Sequence, residues 1–228
     1  MKEIYLLFLI IIIIFMIYLL FILLFYFNRC KEGITNKPID KHILLIGDSV
    51  LNNANYVSYT TFDHLQKLIG KENVLHNYAK DGATITDCFK QVDKIPILNN
   101  DTFKNGLCIV VSCGGNDILQ LSNTNTKNVQ PSINKLSLLI ETIKTKFPLS
   151  NIYLLNVYYS FSSKYVIYKP VIETWNKSLL QLINNKSNNN CRLVDVASVI
   201  IEPSDLIYDI EPSESGGRKV AICISNSL

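Results

Sequence analysis

The sequence predicts an α/β fold, a three-layer sandwich around a five-stranded parallel sheet. Two observations carry this. Short apolar runs recur along the chain, and several are continuous rather than alternating, the mark of strands buried on both faces. Between them lie segments whose apolar residues recur at helical spacing, and strand-helix alternation over this length calls for right-handed crossovers around one sheet.

The first run, Ile43–Ile46, leads straight into Gly47-Asp48-Ser49. It reads as a buried strand ending in a tight turn that presents a small hydroxyl. Further strands are expected at Val74–Tyr78, Leu107–Ser112, Ile152–Val157 and Leu193–Val196. Helices are expected at Phe62–Ile69, Ile85–Val92, Ile133–Phe147 and Val171–Ile183, with a last one at Arg218–Ile224. Asn99–Asn105, Ser122–Gln130 and Asn184–Asn190 read as solvated connectors.

Ahead of this domain, Ile4 to Phe27 contains no charge, Gly or Pro. At about 1.5 Å per residue it can cross a hydrocarbon core of roughly 30 Å. It ends in Phe25-Tyr26-Phe27-Asn28-Arg29, without the small residues of a cleavage site, so it reads as an uncleaved single-pass anchor. The expected organisation is a membrane anchor at residues 1–28, a linker at 29–41 and one domain at 42–228. Arg29, Lys31, Lys37 and Lys41 follow the run, and the positive-inside bias favours a cytosolic domain.

Composition excludes several classes. The net charge is +3, and the lysines are scattered rather than striped, so no nucleic-acid partner is expected. Among six cysteines no pair has CxxC spacing, so no metal or redox motif is read. Cys108, Cys113 and Cys223 sit in apolar runs and read as buried thiols. No Gly-x-Gly-x-x-Gly or Walker-type loop appears.

In a parallel sheet all strand ends meet at one edge, where sites form. Gly47-Asp48-Ser49 follows the first strand, Ala79-Lys80-Asp81-Gly82-Ala83-Thr84 the second, and Cys113-Gly114-Gly115-Asn116-Asp117 the third. The N–H of Ser49, the N–H of Gly82 and the side-chain amide of Asn116 make three donors for one oxygen, as a tetrahedral acyl-transfer intermediate requires. Asp48 and Gly115 are assigned to the same substrate-binding edge. Each residue also has a structural reading. Gly82 can hold a turn, Gly114 and Gly115 can permit close packing, and Asn116 and Asp117 can cap the next helix.

These blocks resemble those of the SGNH (GDSL-type) hydrolase family. Gly47-Asp48-Ser49-Val50 is similar to its first block, Gly82 to the glycine of the second, and Gly114-Gly115-Asn116-Asp117 to the third. Glu211-Pro212-Ser213-Glu214-Ser215-Gly216-Gly217 resembles the last block. The resemblance implies a flavodoxin-like sandwich, no cofactor, and hydrolysis of esters or thioesters through an acyl-enzyme on Ser49. Its substrates are small esters or acylated lipids and glycans.

One departure is central. The last block of the family carries a histidine before the proline and an aspartate three residues earlier. Here those positions hold Glu211 and Tyr208, and the nearest aspartate is Asp209. The chain is similar to a subgroup with Glu-Pro-Ser in this place. The histidines are His42, before the first strand, His64, in a helical pattern at the surface, and His76, in the second strand. None falls in the last block. Glu211 is the remaining candidate base, with Asp209 beside it in sequence to raise its pKa by like-charge repulsion. A glutamate with an ordinary pKa near 4.3 is a weak base for a hydroxyl, and a rise of about two units improves it. The alternative is a structural carboxylate in an SGNH-fold module that binds an acyl, carboxylate or sugar ligand without turnover.

Overall fold

A computed structural model describes residues 41–96, 106–121 and 128–228. The apolar run at 4–27 and the linker lie outside them, as does most of the first two polar connectors. Among the described residues no helix is long and apolar enough to cross a membrane.

Five parallel strands form the sheet: β1 His42–Gly47, β2 Val74–Asn77, β3 Leu107–Ser112, β4 Ser150–Leu155 and β5 Cys191–Val194, in the order β2-β1-β3-β4-β5. This is the doubly wound, flavodoxin-like order. β3 and β1 are buried along nearly their whole length, as their continuous apolar runs require. β4 and β5 each start and end two residues earlier than the sequence reading placed them. Just past their ends, the Asn156 N–H donates a last time to the Val194 carbonyl, and Asn156 Nδ2 donates to Asp195 Oδ1 at 2.6 Å.

The helices are α1 Thr61–Ile69, α2 Ile85–Lys94, α3 Gly115–Leu121, α4 Gln130–Lys146, α5 Lys169–Ile183 and α6 Glu214–Ser227. Strand side chains alternate between two cores. Leu44, Ile46, Ile109, Val111, Ile152 and Leu154 pack on α2, α4 and α5. Ile43, Leu45, Cys108, Val110, Tyr153 and Leu155 pack toward α1 and α6. The expected three layers are therefore present. At a transfer gain of about 1.5–3 kcal/mol per buried aliphatic side chain, these two faces dominate the stability.

Local signals set the helix starts. Thr60 with Asp63, and Thr84 with Asp87, close reciprocal capping boxes on α1 and α2. α4 begins three residues before the expected Ile133, because Pro131 fits the first turn of a helix. α6 is longer than expected because Ser213 caps it, its hydroxyl accepting from the Gly216 N–H at 3.2 Å. α3 was not expected at all: it starts on Gly115 and spans only seven residues.

The stretch before the last block folds as a two-stranded antiparallel hairpin, β6 Leu206–Ile207 and β7 Glu211–Pro212. Its turn passes through Tyr208 and Asp209, both at positive φ (50° and 72°). Left-handed backbone at non-glycine residues is costly and persists only where surroundings enforce it.

Candidate active site

The Ser49 turn forms because β1 ends on a glycine that nothing larger can replace. Gly47 has φ +139°, and a Cβ there would sit 1.9 Å from the Ser112 carbonyl oxygen. Its backbone is held by a buried side chain from α2. Gln91 Nε2 donates to the Gly47 carbonyl at 2.9 Å, and the Gly47 N–H donates to Gln91 Oε1 at 2.7 Å. The Asp48 N–H donates to the Ser112 carbonyl, and the N–H groups of Leu51 and Asn52 return to the Asp48 carbonyl. Ser49 opens this tight turn at the carboxyl edge of the sheet and is 7% exposed.

The segments after β1, β3 and β4 meet the Glu211 hairpin there around a pocket of about 90 Å³. Asp48, Ser49, Gly115, Asn116, Tyr158 and Glu211 are among its lining residues. Residues more than 160 positions apart thus share one cavity, as the sequence reading required of Ser49 and Glu211. The Ser49 hydroxyl is close enough to the Glu211 carboxyl to hold its pKa down. Burial outweighs this and pushes Glu211 above the ordinary glutamate range, and the charge of Asp81 adds to the rise. Glu211 Oε2 is buried with no hydrogen-bond partner.

Asp48 is a second perturbed carboxyl. Burial pushes it up to about 7, against hydrogen bonds from the Ser112 hydroxyl (2.7 Å) and the Val50 N–H (3.2 Å), and the charge of Glu211 raises it further. Tyr158 stays a neutral phenol, its pKa driven well up by burial and then by Glu211 and Asp48. Its hydroxyl donates to the Ile210 carbonyl at 2.7 Å.

That bond is one of three clamps on the Glu211 hairpin. Ser160 Oγ donates to the Asp209 carbonyl at 2.8 Å, and Asn53 Nδ2 donates to the Pro212 carbonyl at 3.1 Å. Asn53 is fully buried and also accepts the Thr61 N–H, so it ties the Ser49 loop and α1 to the residue after Glu211. Beneath the hairpin, Lys219 pairs with the buried Asp205 at 2.8 Å. The clamps account for the positive φ values at the turn.

The other expected site residues fall as follows. Asn116 lines the pocket, with its amide donating to the Ala83 carbonyl at 3.0 Å. Gly82 is exposed at φ +72°, next to Ala83, and is not part of the pocket lining. Asp209 corrects the expectation set for it. It is exposed in the hairpin turn, its carbonyl is taken by Ser160, and its charge acts on Lys164. The carboxylate that raises Glu211 is Asp81, held by the Tyr56 hydroxyl (2.6 Å) and Asn55 Nδ2 (3.0 Å). Asp117 caps α2, the preceding helix, by accepting the Ile85 N–H at 3.1 Å. Among the described residues no histidine reaches the pocket lining. His42 stacks on His76 at 5.9 Å, and His64 is half-buried, edge-on to Tyr59. No cluster of metal-ligating side chains occurs among the described residues.

No family model matches the sequence, and no curated protein is similar to it at the sequence level. Solved structures are similar in fold. The lipase Lip_vut3 from a goat rumen metagenome superposes with a TM-score of 0.64 at 18% identity, covering 81% of this chain and 95% of that one. A lipolytic protein of the G-D-S-L family from Veillonella parvula gives 0.62 at 18% identity, over 80% and 95%. The acetyl xylan esterase AlAXEase gives 0.63 at 14% identity, over 82% and 99%.

The fold is that of the SGNH (GDSL-type) hydrolases. Within this SGNH fold, Ser49 stands at the end of β1 and Asn116 just after β3, and Glu211 stands where the resemblance leads one to expect a histidine. Gln91, Asn53, Ser112 and Tyr158 were not singled out from the sequence. Gln91 gave one available signal, a polar residue on the apolar face of a helical pattern with Ile85, Cys88 and Val92.

Proposed function

We propose that the chain is a serine hydrolase acting on carboxylic esters or thioesters. The observation that supports it best is that the Ser49 hydroxyl and the Glu211 carboxyl share one buried pocket, with the carboxyl raised in pKa and one of its oxygens unpartnered. An unpartnered buried acceptor is costly, by about 1–3 kcal/mol, and a proton is what relieves it.

In this reading Ser49 Oγ attacks the acyl carbonyl carbon while its proton passes to Glu211. The carbonyl oxygen becomes an oxyanion, held by the Ser49 N–H and the Asn116 amide. Collapse breaks the ester bond, and Glu211 returns the proton to the leaving oxygen or sulfur. Water then attacks the Ser49 acyl ester, with Glu211 taking the water's proton and giving it back to Ser49. The raised pKa makes Glu211 a stronger base than an exposed glutamate. Asp48 lies beneath the turn as a carboxyl that carries a proton for part of the time near neutrality.

The apolar run at 4–27 is read as the membrane anchor of this hydrolase, on sequence grounds alone.

A second reading, a pocket that binds without turnover, draws on the Asn116 amide being engaged by Ala83 and on Gly82 standing outside the pocket lining. The substitution Glu211→His separates the two. Turnover of short-chain aryl esters by the full chain, lost in Ser49→Ala and raised in Glu211→His, supports the hydrolase. Absence of Ser49-dependent turnover in both wild type and Glu211→His favours the binding module.

A further inference from the structure

One wall of the pocket is the stretch from Tyr158 to Lys169, between β4 and α5. Its inner residues, Tyr158, Ser160, Tyr165 and Tyr168, line the cavity. Its outer residues are apolar and face solvent: Phe161 is 46% exposed, Val166 54% and Ile167 59%. Single exposed apolar side chains are ordinary, but three within seven residues at a pocket wall form a patch. The Ser160–Asp209 hydrogen bond brings the hairpin turn alongside, adding Tyr208 at 70% exposure.

The patch carries positive charge. Lys164 and Lys169 are exposed, and their ammonium groups sit over the rings of Tyr165 (4.8 Å) and Tyr159 (5.6 Å). α5 begins at Lys169, and its first turn has neither a side-chain cap nor an acidic residue, so the positive end of its dipole is unneutralised. The carboxylates whose charge reaches the stretch are Asp209, on Lys164, and Glu173 and Asp195, on Tyr159.

Exposed aliphatic and aromatic tips flanked by lysines match the boundary between water and an anionic bilayer. There the apolar groups enter the headgroup zone and the ammonium groups meet phosphates. The sequence gives a reason to choose a bilayer as the occupant, since the chain carries at 4–27 a run whose length and composition suit a hydrocarbon core.

We propose that the 159–169 lip docks on an anionic lipid surface, with Phe161, Val166 and Ile167 in the headgroup boundary and Lys164 and Lys169 on lipid phosphates. The pocket mouth then opens beside lipid. Docking does not depend on Glu211 or on turnover, so it stands or falls apart from the hydrolase reading.

The test is amide hydrogen exchange of the full chain in nanodiscs of phosphatidylcholine with and without phosphatidylglycerol. Both discs accept the 4–27 run alike, and Arg29, Lys31, Lys37 and Lys41 are the same in every variant, so a difference that the lip substitutions remove belongs to the lip. With each lysine contributing about fivefold at an anionic surface, amides of 161–168 are expected to exchange at least about tenfold more slowly on the anionic discs. Amides of α1 serve as the unchanged control. The difference is expected to vanish in Lys164→Glu/Lys169→Glu and to shrink in Val166→Asp/Ile167→Asp, with melting unchanged in both variants. Equal exchange on the two discs overturns the proposal. So does equal protection by glycerol phosphate in detergent micelles, which would make the lip a site for free phosphate.

Discussion

Replacing Asp48 by Asn tests the electrostatics under the Ser49 turn. Asp48 is 4% exposed, and burial lifts its pKa from 3.8 to about 7. A carboxyl that holds its proton more tightly in the folded than in the unfolded state stabilises the fold fully below its unfolded pKa. That contribution is lost as pH rises through the folded value, here between 3.8 and about 7. At 1.36 kcal/mol per pKa unit the loss amounts to about 4 kcal/mol. Asn keeps the shape and an acceptor oxygen for Ser112 Oγ and the Val50 N–H, and it never ionises. The stability of Asp48→Asn relative to wild type should therefore climb with pH by up to about 4 kcal/mol. For a domain of this size that is roughly 8–16 °C in melting temperature. Thermal denaturation of both full-length proteins in detergent, stepped across that window, reads it directly. A wild-type-to-variant difference that stays constant with pH would refute the assignment of Asp48 as a buried carboxyl of raised pKa.

Three further substitutions follow from the same geometry. Gly47→Ala places a Cβ 1.9 Å from the Ser112 carbonyl at a backbone φ of +139°, so it should abolish the folded state or lower the melting temperature by at least about 8 °C, as circular dichroism would show. Tyr158→Phe leaves the Ile210 carbonyl without its donor and loosens the Glu211 hairpin. About 1–3 kcal/mol of stability should go in chemical denaturation, with kcat falling more than KM rises. Asp81→Asn removes the negative charge that raises Glu211 while keeping an acceptor for Tyr56. The acid limb of the pH–rate profile should move to lower pH, and an unmoved limb would exclude Asp81 as the tuning charge.

Much of the architecture was legible because burial on both faces writes itself into a parallel strand. Leu107–Ser112 was bounded correctly, since a polar residue closes a run that is apolar throughout. The strand expected at Ile152–Val157 lies two residues earlier, because it opens on the polar pair Ser150-Asn151, which the apolar run does not reveal. α3 escaped notice because its glycine start and short length carry no helical period. The pocket members Ser49 and Asn116 could be read from small, polar residues at strand ends, and Glu211 from the resemblance of Glu211-Pro212-Ser213 to the family's last block. Asp209 could not be placed, since nearness in sequence says nothing about which way a turn at φ +72° sends its side chain. Asp81 reaches Glu211 through the fold from far along the chain, and only the folded Tyr56 and Asn55 reveal it.

The most direct measurement is the rate at which a fluorophosphonate modifies Ser49, followed across pH in wild type and Glu211→Gln. The account predicts a wild-type rate that rises with pH through one ionisation above the ordinary glutamate range. It predicts a variant slower by about 10²–10⁴ that shows no such rise. Equal rates and equal profiles in the two proteins would mean that the carboxylate beside Ser49 takes no proton from it.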